Sequence, residues 1–223
     1  MLSCLPLIAR YYYDCGFSKK EIRYKLEECL LKSDSRVNLV RLGDFIDGCV
    51  KECNKRKLID ISYIPITRKE FEVCRALRAK EKSKLMFTLI CLSKYYLAVS
   101  EKYNGWITMD DGDIFALANI KRSTKARQLY FNELMQGGLI SFSKKVNSIS
   151  INVNAIEDGK DDVIYKVTNM RDLGNQFECM NGGDYIACKI CGRLVRRNCN
   201  HQKLCPECAN TDISRVSKAS MRS

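Results

Sequence analysis

Cys188 and Cys191, then Cys205 and Cys208, form two C-x2-C pairs separated by thirteen residues. Two thiolates at that spacing grip one metal ion from a tight turn, and the gap suits a short hairpin that brings the second pair round to complete a tetrahedron. The pattern predicts one structural Zn²⁺ site of the ribbon type. A closed Cys4 site leaves no position for substrate, so it points to folding and docking rather than catalysis. Gly192 follows the second thiol, where a knuckle needs positive φ. Cys199 and His201 lie between the pairs and compete as ligands. A Cys3His set would break one paired knuckle, and Cys199 reads as a free thiol. Arg193, Arg196 and Arg197 lie between the knuckles, available to phosphate or an acidic protein, or serving as a solvated basic edge that deters strand pairing.

A second chemical candidate is the stretch KRSTKARQLYFNELMQGG. It opens with Lys121, Arg122, Lys125 and Arg127 and runs to Gly137-Gly138. Cations at the start of the second helix of a helix-turn-helix approach the major groove. Lys144 and Lys145 fall in the following hairpin turn and suit phosphate contacts. Leu129, Leu134 and Met135 are expected to face inward. Asp110, Asp111 and Asp113 would oppose DNA if they shared that face. They read as an N-cap with favourable dipole placement, or as a Mg²⁺ cluster lacking further carboxylates.

Catalytic patterns are missing from the sequence. It has no P-loop, no GxGxxG, no nucleophile elbow, and a single histidine. The reading is therefore not an enzyme. The chain has 223 residues, 46% of them hydrophobic, and a formal charge of +12. The apolar content allows a real core, and the charge favours an anionic partner. Thirteen cysteines, an odd number, are scattered partly through helix-like segments, and the first residues lack a secretory pattern. Reduced thiols in a cytoplasm, bacterial if the chain is phage-encoded, fit best. No apolar run approaches the ~20 residues of a membrane span.

The elements that must position these groups follow from periodicity and capping. Residues 3–13, 18–31 and 36–56 predict three helices, the second opened by a Ser18/Glu21 capping box and the third with a stripe of Val40, Leu42, Phe45, Ile46, Cys49 and Val50. Lys19, Lys20, Arg23 and Lys25 make this region either a second small helix-turn-helix or a dimerisation bundle. Cys49 and Cys53 read as core, and the Tyr11-Tyr12-Tyr13 run as packing or interface.

Thr67 and Glu70 form another capping box. A strongly apolar helix over 81–99 is the expected central element, carrying Leu85, Met86, Leu89, Leu92 and Tyr96. Asn104-Gly105 predicts a turn and 106–108 a short strand. Helices at 111–118 and 122–136 precede strands at 139–143 and 148–154.

The expected fold is mainly α with small β elements. Its parts are an N-terminal helical bundle (1–66), a winged helix-turn-helix (67–154), a linker and connecting segment (155–184), a zinc ribbon (185–209) and a disordered tail (210–223).

The stretches IPITRKEFE (64–72), KLMFTLICLSKYY (84–96), DIFALANI (113–120), ELMQGGLISFSKKV (133–146) and MRDLGNQFECMNGGDYIACKICG (170–192) resemble, in pattern, uncharacterised phage and mobile-element proteins of low-GC Gram-positive bacteria. The resemblance implies a role in replication, transcription or host takeover. Two functions are carried forward. One is a phage-type protein that binds duplex DNA through the winged helix. The other is an adaptor that docks on a host protein complex, such as RNA polymerase or a defence system. Oligomeric state is not legible.

Overall fold

The computed structural model describes residues 2–34, 36–55, 58–59, 61–99, 104–143, 150–156 and 162–211. It is mainly helical, with small antiparallel sheets, and divides into two compact units at Asp60/Ile61.

The first unit holds three helices, α1 (Leu5–Asp14), α2 (Lys19–Ser33) and α3 (Leu39–Glu52). Ser18 caps α2 reciprocally with Glu21, as its sequence requires. Leu5, Ala9, Ile22, Leu26, Leu30, Ile46, Cys49 and Cys53 form a small separate core. Four of the six expected α3 stripe residues pack on this core, Leu42 and Val50 as partly buried neighbours. Ile46 and Cys49 are buried, but Val40 is 91% exposed and Phe45 is also exposed. The helix starts at Leu39, after an Asn38 cap, so Val40 lies in its open first turn. The N-terminal cations are partly engaged: Arg23 pairs with Glu27 and Asp47, and the Lys25 ammonium sits 4.6 Å from the Phe17 ring centre.

The second unit is built on α5 (Lys80–Val99), buried continuously from Ser83 to Ser93. Such burial suits a helix that is apolar on every side and surrounded by other elements. Each fully buried side chain, Phe87 among them, contributes about 1.5–3 kcal/mol relative to exposure. Around α5 lie β1 (Ile64–Thr67), α4 (Arg68–Ala76), α6 (Asp111–Leu117), α7 (Thr124–Gln136), β2 (Ile140–Phe142), β3 (Ile151–Val153), β4 (Val163–Val167) and α8 (Leu173–Met180). Thr67 and Glu70 cap α4 reciprocally, and Lys94 reaches the buried Glu70 and the Pro65 carbonyl.

β2 and β3 form an antiparallel pair, and Ile107 bridges to Ile151 of β3. Only this bridge represents the strand expected at 106–108. After α5 come the bridge, α6, α7 and the β2–β3 pair, in the expected order.

The region 155–184 differs from a connecting segment. Its strand β4 pairs antiparallel with β1, and α8 packs on α5. Val167, Leu173 and Phe177 join the same core as Phe87 and Phe115. The acidic, Gly-containing stretch 155–162 suggests a linker, but the apolar residues just beyond it close the core. Residues 157–161, the expected hairpin turn with Lys144 and Lys145, and residues 212–223 of the expected tail lie outside the described residues.

Candidate metal centre and basic surface

Two short strands, β5 (Tyr185–Ala187) and β6 (Leu194–Arg196), pair antiparallel, and the turn between them carries Cys188 and Cys191. Gly192 takes φ +71°, which the knuckle geometry demands, and its N–H donates to the Cys188 carbonyl at 2.9 Å. The chain then returns so that the Lys189 N–H meets the Lys203 carbonyl at 3.0 Å. Cys205 and Cys208 stand at the start of a helical turn over 206–211, with the Cys208 N–H donating to Cys205 Sγ.

The four sulfurs lie within 4.8 Å of one another and form a cluster that could hold a metal ion. Cys191 Sγ and Cys205 Sγ are 3.7 Å apart. Cys199 and His201 are exposed and outside this cluster.

Backbone N–H groups of Cys191 and Cys205 lower the Cys188 thiol to about 6. Cys208 is pushed up to about 12, chiefly by its hydrogen bonds with Cys205 and Cys191. Four sulfurs this close cannot all become anions unaided, and a cation among them removes that conflict. The donor set therefore fits a bound metal.

The hairpin is fastened to the helical core by polar contacts. Asp172, six per cent exposed, stands at the N-terminal boundary of α8 in a left-handed conformation, and its carboxylate accepts two hydrogen bonds from Arg193, at 3.2 and 3.1 Å. The third nitrogen of Arg193 reaches Glu207, beside the second knuckle, at 2.9 Å. Arg171 donates to the Cys191 carbonyl, Asn175 to the Leu194 carbonyl, and the Tyr185 hydroxyl to Glu178.

The same α8 terminus grips the α6–α7 turn. Asn119 donates to Asp172 and accepts from the Asn175 N–H, while Lys84 reaches the Asn119 carbonyl at 3.1 Å. Gly174 makes this contact possible, because a Cβ there would stand 1.8 Å from the Ala118 carbonyl oxygen. One junction thus joins the cysteine hairpin, α8 and the turn before α7.

The cations singled out in the sequence divide into two groups. Arg122 is held by Glu81 through two hydrogen bonds, at 2.9 and 3.0 Å, and Tyr130 donates to the same carboxylate. Burial alone would raise the Glu81 carboxyl, but the hydrogen bonds from Arg122 and Tyr130 outweigh it and hold it low. Arg127 is 3.7 Å from Asp111 and donates to Thr124. Arg193 is anchored as described, and Arg197 pairs with Asp184 at 3.5 Å. Lys121, Lys125 and Arg196 are exposed and have no ion-pair partner among the described residues. Asp110 is the N-cap of α6, bonding the Gly112 N–H at 2.7 Å, which matches the capping alternative for the acidic run.

On α7 the inward face is Tyr130, Phe131 and Leu134. Leu129 and Met135, expected inside, are 55% and 40% exposed. The helix turns its aromatic edge to Phe115, where Phe131 packs edge-on, and this rotates Leu129 outward.

Asp172, Asn119 and Glu81 were missed as site-forming residues. Asn119 alone carried a local signal, an Asn just after a helical run, where a left-handed residue is often found. No family model, curated protein or solved structure matches the chain.

Proposed function

We propose that the protein is a nucleic-acid-binding factor of phage type that contacts duplex DNA with a winged helix and carries a structural zinc ribbon. The observation that carries this reading is the placement of Lys121 and Lys125 at the opening of α7. Both are exposed and have no ion-pair partner among the described residues; Lys121 lies in the segment that leads into α7 and Lys125 in the first turn of α7, the helix that precedes the β2–β3 pair. The Ile107–Ile151 bridge supports the winged arrangement, since it ties a third extended segment to the hairpin. Phosphate contacts from these lysines would position the duplex and make affinity fall with salt. Lys144 and Lys145 would add to them from the wing.

Zinc is the metal that best suits the cluster. Bonds of about 2.3 Å in a tetrahedron give sulfur–sulfur edges of about 3.8 Å, close to the 3.7 Å between Cys191 and Cys205. Its role is to order the hairpin and, through Arg193 and Asp172, the junction behind α7.

A second reading has its own supporting observation. Arg122, Arg127, Arg193 and Arg197 are all paired with carboxylates, so much of this face is charge-balanced. Such a surface suits an adaptor on a host protein complex.

The test is a titration of metal-loaded protein into a labelled mixed-sequence duplex across a salt series. Binding that weakens steeply with salt, and weakens further in Lys121→Glu/Lys125→Glu, is the expected result. Salt-insensitive, weak binding overturns it. A stoichiometric protein partner retained from nuclease-treated host lysate would then favour the adaptor.

A further inference from the structure

Where the α6–α7 turn, the start of α5 and the cysteine hairpin meet, the surface opens into a cleft of about 690 Å³. Lys121, Arg122, Arg127 and Arg193 line it, together with Glu81 and Phe115. Four cations and one carboxylate therefore face one concavity. The other acids that hold these arginines, Asp111, Asp172 and Glu207, are not part of the lining. They fix the guanidinium groups from outside the cleft.

The three arginines are not equally committed. Arg193 uses Nε, Nη1 and Nη2 in hydrogen bonds, and Arg122 uses Nε and Nη2. Arg127 makes one, from Nη2 to Thr124, and its Nε is buried without a hydrogen-bond partner. Its ion pair with Asp111, at 3.7 Å, is longer than a hydrogen bond. Arg127 is nonetheless only 19% exposed, so it is held in place with most of its donors unused. Lys121 lines the same cleft, exposed and with no ion-pair partner among the described residues. Planar guanidinium donors with an ammonium beside them are a combination that recognises phosphate oxygens.

We infer that this cleft binds a phosphate group, with Arg127 and Lys121 as its principal donors and Arg122 and Arg193 supplying field and shape. The phosphate is either free or part of a nucleic-acid backbone. In the latter case the site deepens the DNA-binding reading and rests on it. The cleft also gives the cysteine hairpin a direct share in binding, because Arg193 belongs to that hairpin.

The experiment follows the Arg127 Nε–H signal in ¹⁵N spectra of the full-length, metal-loaded protein, assigned by its loss in Arg127→Lys. Inorganic phosphate, sodium chloride at matched ionic strength and a mixed-sequence duplex are titrated in turn. Phosphate is expected to move the signal, chloride to leave it in place, and Lys121→Gln to weaken the phosphate response about tenfold, the scale of one charge-assisted hydrogen bond. Lys121 is exposed and has no ion-pair partner among the described residues, so that variant should keep its melting temperature and metal content.

If the duplex moves the same signal and competes with phosphate, the site serves a phosphodiester. If phosphate binds but the duplex does not, the cleft stands as a free-phosphate site while the DNA-binding reading falls. If the duplex binds by anisotropy while neither probe moves Arg127, the cleft assignment is overturned and the DNA-binding reading survives. A chloride response equal to that of phosphate also overturns it.

Discussion

The helical core from Ile64 to Met180 and the cysteine hairpin from Tyr185 to Cys208 are neighbours in the same unit, yet they are held together by opposite means. The core buries a continuous set of large apolar side chains around α5. In the hairpin the only buried apolar residues are Cys188 and Cys205. Its two strands have three residues each. A two-stranded hairpin of that size is not stable alone in water. Its order must come from the polar contacts of Arg171, Asn175 and Arg193 and, under the proposed zinc ribbon, from metal–sulfur bonds. A region can be fixed by burial or by ligation, and the two respond to different perturbations.

The largest effect expected is on the hairpin alone. Structural Zn²⁺ contributes roughly 10–16 kcal/mol to small folded modules at neutral pH. Chelation, or Cys205→Ser, should therefore abolish amide protection over 185–208 while leaving most helical circular dichroism in place. Mass spectrometry of the native protein should show one metal per chain. Unchanged protection after chelation would mean that the polar contacts suffice. The complementary variant is Phe87→Ala, expected to cost about 3–5 kcal/mol in the helical transition and to leave metal stoichiometry at low temperature untouched.

Next in size is Gly174→Ala. The added Cβ would meet the Ala118 carbonyl at 1.8 Å and Lys84 Cε at 2.6 Å, and backbone cannot swing aside as a side-chain end can. Overpacking of this kind costs about 1–3 kcal/mol, sometimes more. The melting temperature should fall, and exchange should quicken in both α8 and the α6–α7 turn. If only α8 responds, the junction does not transmit between them.

This contrast also explains what could be read from the sequence. The four clustered cysteines were legible because ligand spacing is local: Cys188/Cys191 and Cys205/Cys208 each occupy one turn. The two capping boxes were legible for the same reason. The central helix declared itself by composition. What escaped was non-local. Nothing in VIYKV says that it pairs with IPIT a hundred residues earlier, so 155–184 read as a connector. Nothing local says that Arg193 will be taken by Asp172, or Arg122 by Glu81. The sequence gives a residue's charge, whereas its availability depends on partners brought by the fold. Lys121, Lys125 and Arg196 are the expected cations that stay exposed with no ion-pair partner among the described residues.

The Arg193–Asp172 pair lies on the boundary between the two regimes. Asp172 is buried, and Arg193 has a side chain 37% exposed, so solvent screening reduces what the pair contributes. A double-mutant cycle of Asp172→Asn and Arg193→Gln should give a coupling of about 1–2 kcal/mol. Metal affinity should fall in both single variants if the junction helps to order the knuckles. A coupling near zero would leave the hairpin to its metal alone.

The smallest effect expected concerns Glu81, which belongs wholly to the core side and serves as a control for acid sensitivity. Its carboxyl is desolvated, which acts upward, but Arg122 and Tyr130 hold it below its ordinary value of 4.5. A folded-state pKa below the unfolded one stabilises the fold above the ordinary value, and that contribution is lost as pH falls through the lower folded value. Glu81→Gln should therefore flatten the decline of melting temperature below about pH 4.5 without altering metal release. The cysteine centre should lose its metal under acid by a separate route, because protons compete for thiolates. If Glu81→Gln shifts both transitions together, α5, Arg122 and the hairpin act as one cooperative body, and the division between burial and ligation does not extend to their response to pH.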